Sequence, residues 1–137
     1  MGAPASDERE VLILDSEGLS RLIRLDRELH KFIALANRSG VRALCSAVTL
    51  IEVQHDRIKP SEFAFARSRI RVEPVTEEIA KSAVELLRAA GMHGHRHAID
   101  AVVAATALEQ KGPVVLLTSD VGDMTKLCGD EVEVRKV

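Results

Sequence analysis

The chain has 137 residues, 29% of them Asp, Glu, Lys or Arg, and a formal net charge of −2 at pH 7. This length suits one domain over residues 1–137 that buries roughly two-thirds of the surface its unfolded chain exposes, and the near-neutral charge excludes a global cationic field for capturing nucleic acid. With no Trp, no Tyr and only Phe32, Phe63 and Phe65, base-by-base reading through aromatic stacking is excluded as well.

The opening MGAPASDERE lacks the apolar core of a signal peptide, and no later run approaches the ~20 apolar residues of a membrane span. MGAPAS fits the loose N-myristoylation pattern, but Pro4 and its polar surroundings favour a flexible tail over residues 1–10. Cys45 and Cys128 lie far apart without CxxC spacing, as expected of buried thiols in a reducing compartment. A cytoplasmic protein with no membrane partner is the expectation.

The apolar pattern then alternates strands with helices. VLIL (Val11 to Leu14) is a continuous apolar run, the signature of a parallel strand covered on both faces. Leu19, Leu22, Ile23, Leu29, Phe32, Ile33 and Ala36 follow at helical spacing with a break near Asp26, and NRSG stops the pattern. VRALC (Val41 to Cys45) is a second strand. Ser46 suits the N-cap of a helix running through Ala47 to about Arg57; Pro60 breaks the chain, and Ser61 starts a short helix over Glu62 to Arg67.

RIRVEPV alternates polar with apolar residues, which suits an edge strand. Thr76 caps a helix burying Ile79, Ala83, Val84, Leu87 and Ala90, and Gly91 ends it. HAIDAVVAATAL (His97 to Leu108) is a tightly packed helix, VVLL (Val114 to Leu117) a second central strand, Val121 to Cys128 a helix, and EVEVRKV the other edge. No internal repeat or long linker divides the pattern. Strands separated by helices require right-handed crossovers, so the predicted fold is a three-layer α/β/α sandwich on a five-stranded, mainly parallel sheet.

Ligands of such sheets bind beyond the carboxyl ends of the strands where strand order reverses. With the first and fourth strands side by side, the residues at those ends are Asp15, Asp120 and Asp123. Glu52 in AVTLIEV and Asp100 in HAIDAVVAATAL are lone acids in apolar helical stretches, and desolvating a carboxylate costs several kcal/mol unless a cation or strong donors compensate. Arg96, one turn before Asp100, is the only helical neighbour of opposite charge for either acid.

A shared divalent ion answers the need of all these acids. Mg²⁺ and Mn²⁺ prefer carboxylate oxygens, and such an ion can activate water and offset charge on a phosphate oxygen, which points to phosphodiester hydrolysis. The plainer alternatives are that Asp15 caps a turn, Asp100 opens a helix, and Asp120 or Asp123 caps the last helix. Capping does not explain Glu52, a turn and a half beyond its expected N-cap, although a distant Arg could.

The order Asp15, Glu52, Asp100, Asp120, within VLILDSEGLSRLI, SAVTLIEV, HAIDAVVAATAL and LLTSDVGDMTKL, resembles the PIN-domain nucleases, and most of all the VapC-type toxins of type II toxin–antitoxin pairs. The resemblance spans about Val11 to Val134. It implies a PIN-like fold with the acids at the carboxyl edge of a five-stranded parallel sheet, dependence on Mg²⁺ or Mn²⁺, and endoribonuclease activity. It assigns Asp15, Glu52, Asp100 and Asp120 to catalysis and metal binding, with Thr118 or Ser119 as a supporting hydroxyl and Asp123 sharing or replacing the role of Asp120. It also implies an RNA substrate, a homodimer, and a cognate antitoxin whose tail enters the acidic groove, often with an Arg. Glu17 departs from the smaller residue many relatives carry two positions after the first acid, which leaves one or two metals open.

Basic residues should flank an acidic site that handles RNA. RSRIR would place Arg67, Arg69 and Arg71 on one side of an extended strand as a phosphate row, or serve only as a charged edge that discourages pairing. HGHRH supplies His93, His95 and His97, readable as a flexible polar loop, as a zinc site, or as a source of phosphate contacts from Arg96 and His97. The competing functional classes are a catalytically inactive PIN-like binding module and a receiver-like signalling domain; the latter predicts an acceptor Asp after the third strand, where only Glu73 occurs.

Overall fold

The computed structural model describes residues 9–137. In chain order the elements are β1 (Val11–Leu14), α1 (Ser16–Ile23), α2 (Arg27–Arg38), β2 (Arg42–Ser46), α3 (Ala47–Glu52), α4 (Pro60–Ser68) and β3 (Arg71–Glu73). They continue with α5 (Glu77–Ala90), α6 (Gly94–Glu109), β4 (Val114–Thr118), α7 (Val121–Cys128), a 3₁₀ turn and β5 (Glu133–Lys136). The five strands form one sheet in the order β3-β2-β1-β4-β5, parallel at every pairing. The alternating pattern thus gives the expected α/β fold, with the β3 and β5 strands at its edges. Of the expected tail, residues 1–8 lie outside the described residues, whereas the Glu10 carbonyl accepts a hydrogen bond from Arg42 N at 2.9 Å and is tied to the sheet.

The layers follow from the pleat. Val11 and Ile13 of β1 enter a core with Leu44, Leu116 and residues of α5, α6 and α7, while Leu12 and Leu14 enter a second core with Ala43, Cys45 and residues of α1, α2 and α4. Alternate side chains on opposite faces explain why VLIL is apolar throughout. Gly18 lets α1 lie close on the second face, since a Cβ there would meet Leu14 Cδ2 at 3.1 Å. Cys45 and Cys128 are buried free thiols, and burial pushes them up to about 12 and about 11. No helix among the described residues is long and apolar enough to cross a membrane.

The break between α1 and α2 falls near Asp26 as expected, with Leu25 at φ 62° and Asp26 capping α2 by accepting from Leu29 N at 3.1 Å. Other boundaries differ from the expectations. The α3 helix stops at Glu52, well short of Arg57. Pro60 opens α4 at its first position instead of breaking the chain, because its missing N–H is not needed there. Thr76 and Gly91 cap α5 as expected, Gly91 in the left-handed region, but Val84 is 46% exposed because it is turned away from the Ile79 and Ala83 face. Phe32 is likewise 48% exposed, while Leu29 and Ile33 face the core.

RSRIR is not an extended row. Arg67 lies in α4, Arg69 caps its carboxyl end with its guanidinium 5.8 Å from the Phe65 ring, and Arg71 begins β3. Arg69 and Arg71 border a pocket with Arg9 and Arg42 at the amino-terminal edge of the parallel sheet, opposite to the strand ends that carry the acids. The helix of α4 extends through Ser68 and takes two of the three arginines out of β geometry.

Candidate metal centre

Strand order reverses between β1 and β4, and their register pairs Leu14 with Leu117. The next residues, Asp15 and Thr118, therefore meet at the carboxyl edge. Asp15 is 5% exposed and caps α1: its Oδ1 accepts from Ser16 N at 2.9 Å and its Oδ2 from the Thr118 hydroxyl at 2.8 Å. The same Thr118 oxygen accepts from Asp120 N at 3.0 Å, so one buried hydroxyl holds both strand ends in register. Asp120 caps α7, its Oδ1 accepting from Asp123 N at 3.3 Å.

Beyond these ends lies a cleft of about 430 Å³ lined by Asp15, Ser16, Glu52, His95, Arg96, Ala98, Ile99, Asp100, Ser119 and Asp120. Four acids distant in sequence thus share one wall. Asp100 is half-buried on α6, whereas Glu52 is exposed at the last position of α3, which corrects the expectation of an acid enclosed in an apolar helix. The mechanism of that difference is the early end of α3. Ser119 is exposed at the rim, and Arg96 supplies the guanidinium on the cleft wall.

The acids repel one another in a partly dehydrated space. Desolvation raises Asp100 to about 6, with Asp15, Asp120 and Asp123 adding to the rise and His97 opposing it. Burial also raises Asp15, opposed by its bonds to Thr118 and Ser16 and reinforced by Asp120. Desolvation around its carboxyl raises Glu52, and the charges of Asp15 and Asp100 add to this, while a hydrogen bond from Ser16 opposes it. Each of these shifts reflects first the cost of a dehydrated carboxylate and then its acidic neighbours, and a divalent cation would reverse the balance. A set of oxygen donors without thiolates fits Mg²⁺ or Mn²⁺ in chemistry.

Two further placements refine the sequence reading. Glu17 faces along α1, its Oε1 3.2 Å from Arg21 Nε and 3.5 Å from Arg24, outside the cleft lining. The HGHRH segment is the first turn of α6 instead of a loop, and a kink at His97 separates it from the rest of the helix. His93 and His95 lie with ring centroids 6.4 Å apart, while His97 turns to Asp123, its Nδ1 3.7 Å from Asp123 Oδ2. The group of candidate metal ligands formed among the described residues is His97, Asp100 and Asp123, not the three histidines. Sequence reading also missed Ser16, whose only signal was its position directly after Asp15.

An open parallel sheet with acids gathered at its switch point defines the class, an α/β protein with an acidic cleft. The PIN-domain family model matches residues 12–127, and the chain belongs to the PIN-domain family. Comparison with curated proteins finds no match. Among solved structures the fold is similar to a chain of VapBC2 from Rickettsia felis bound to a promoter DNA fragment, with TM-score 0.72 and 14% identity over 93% of this chain and 98% of that one. It is also similar to a chain of VapBC-1 from nontypeable Haemophilus influenzae, with TM-score 0.63 and 18% identity over 92% and 97%. A toxin–antitoxin complex from Klebsiella pneumoniae contains a third similar chain, with TM-score 0.56 and 19% identity over 81% and 91%. The strand order 3-2-1-4-5 differs from the 2-1-3-4-5 order of receiver-type folds, which removes the receiver-like reading.

Proposed function

We propose that the protein is a metal-dependent endoribonuclease in a single domain and the toxin of a toxin–antitoxin pair. The observation that carries this reading is the shared cleft: Asp15, Glu52, Asp100 and Asp120 come from four separate segments and line one space at the switch point of the sheet. Desolvation of the first three, reinforced by neighbouring carboxylates and expressed in their raised carboxyl pKa values, supports a counter-ion as part of the working state. Mg²⁺ or Mn²⁺, when bound, would supply Lewis acidity toward water and the scissile phosphate.

The chain's own residues have distinct tasks in this reading. Asp15, Glu52, Asp100 and Asp120 would hold the ion, with Asp123 sharing or replacing the role of Asp120. Thr118 orients Asp15 through its 2.8 Å bond and thereby fixes the direction of one ligand oxygen. Ser119 offers a hydroxyl at the rim. Arg96, on the cleft wall, contacts the RNA phosphates, while Arg69 and Arg71 border the opposite edge of the sheet and Arg67 lies in α4, so these three do not guide RNA to the acids. Cleavage leaves a 5′-phosphate.

The toxin–antitoxin complex from Klebsiella pneumoniae supports an antitoxin as partner. An antitoxin segment carrying a cation would neutralise the cleft and block substrate. A homodimer follows from the same family resemblance.

The test is calorimetric titration of Mg²⁺ and Mn²⁺ into wild type and Asp100→Asn, with RNA cleavage followed under the same conditions. Loss of binding and cleavage together in a folded variant is the expected result. Full cleavage by Asp100→Asn would refute the site, and a folded, antitoxin-free wild type that neither binds metal nor cuts RNA would make the protein a binding module.

A further inference from the structure

Asp100 belongs to two groupings. It lines the cleft with Asp15, Glu52 and Asp120, and it also lies with His97 and Asp123 in a set whose ligand atoms are all within 4.8 Å of one another. The second set draws on two elements, the start of α6 and the first turn of α7, and all three residues are half-buried. Two ligands of one octahedral ion at about 2.1 Å can stand at most about 4.2 Å apart, so small side-chain rotations close the set around a cation.

The backbone accounts for the position of the imidazole. His97 has φ −123° and ψ 16°, outside helical values, so its ring leaves the direction the helix would impose. It points at α7, where the Asp123 carboxylate lies 3.7 Å from Nδ1. Asp123 is in turn held by its own N–H bond to Asp120 Oδ1.

We propose that His97 is a nitrogen ligand of the metal centre, forming with Asp100 and Asp123 an N,O,O site that favours a first-row transition ion over Mg²⁺. The inference rests on the metal-dependent reading above and adds an element that all-carboxylate chemistry lacks. Mg²⁺ gains little from imidazole and sheds its waters reluctantly, whereas transition ions accept nitrogen readily and bind mixed N/O sites more tightly. Asp100, common to both groupings, joins this site to the cleft where Asp15 and Asp120 stand. Cellular metal supply would then select which ion occupies the centre.

The probe is Mn²⁺ alone, added to the intact chain and read by pulsed EPR for ¹⁴N coupling and by competition against Mg²⁺. Wild type should show histidine nitrogen coupling, and His95→Ala should retain it. His97→Ala should lose the coupling and raise the Mn²⁺ dissociation constant about tenfold or more, with the Mn²⁺ over Mg²⁺ preference reduced. Asp123→Asn provides a check that leaves the kink untouched: it should weaken Mn²⁺ binding while the nitrogen coupling persists. Bound Mn²⁺ without nitrogen coupling in wild type, or coupling that survives His97→Ala and disappears in His95→Ala, would overturn the assignment and leave the carboxylate reading standing. Absence of any Mn²⁺ or Mg²⁺ binding would overturn both.

Discussion

The Thr118 hydroxyl donates to Asp15 Oδ2 at 2.8 Å across the junction of β4 and β1. The two residues are far apart in sequence, and the parallel register alone brings them together. Thr118 is fully buried, so the bond acts in a low-dielectric setting and is protected from exchange with water.

Thr118→Val keeps the shape and removes the hydroxyl. Asp15 Oδ2 then loses a buried donor and Asp120 N its acceptor, at a cost of about 1–3 kcal/mol. Asp15 should also titrate at a higher pH than in wild type, since the lost bond opposes the rise caused by burial. Urea unfolding measures the first effect and carboxyl NMR the second; Thr118→Ser should restore most of both.

Asp100 makes the stability of the metal-free protein depend on pH with a defined sign. Its folded value is raised from 3.8 to about 6, so the folded state holds the proton more tightly than the unfolded chain. The associated stability is fully present below 3.8 and is lost as pH rises to about 6 and beyond. Asp15 and Glu52, also raised, act in the same direction. In chelator, Asp100→Asn should match wild type in acid and exceed its urea midpoint at about pH 7, and adding Mg²⁺ or Mn²⁺ should reverse that ranking by stabilising wild type alone. Equal midpoints across the whole range would show that the charged Asp100 carboxylate is compensated in another way.

The separation of basic residues from the acids predicts unequal effects on RNA handling. Arg96→Gln, altering the cleft wall, should weaken RNA binding and reduce the slope of log affinity against log salt by about 0.7 for one lost phosphate contact. Arg71→Gln, at the opposite edge of the sheet, should leave that slope unchanged. Binding measured over a salt series separates the two, and a reduced slope for Arg71→Gln would place RNA on the amino-terminal edge as well.

Much of this architecture was readable from local pattern. VLIL and VVLL are apolar on both faces because both faces are covered, and Thr76 and Gly91 bound α5 by capping chemistry that acts within a few residues. Glu52 and Asp100 were conspicuous as lone acids in apolar helical stretches, and Asp15 and Asp120 as residues at the ends of the central strands. Other features depend on contacts that no local window contains. The exposure of Glu52 follows from where α3 ends, and the apolar sequence before it holds no stop signal. RSRIR alternates like a strand, yet α4 extends through Ser68 and claims its first half. The approach of His97 to Asp123 requires α6 and α7 to pack together and a kink at one residue, neither of which periodicity encodes.

The acids differ in how deeply they are built into the molecule, and that difference governs what loss-of-function alleles would look like. Asp15 caps a helix from a buried position, so its replacement should lower protein abundance as well as activity. Glu52 stands exposed at a helix end, so its replacement should yield normal amounts of an inert protein. A genetic screen scoring only activity should treat both alleles alike, whereas an immunoblot should separate them, and Glu52→Gln is the allele expected to give a folded, inactive protein in quantity.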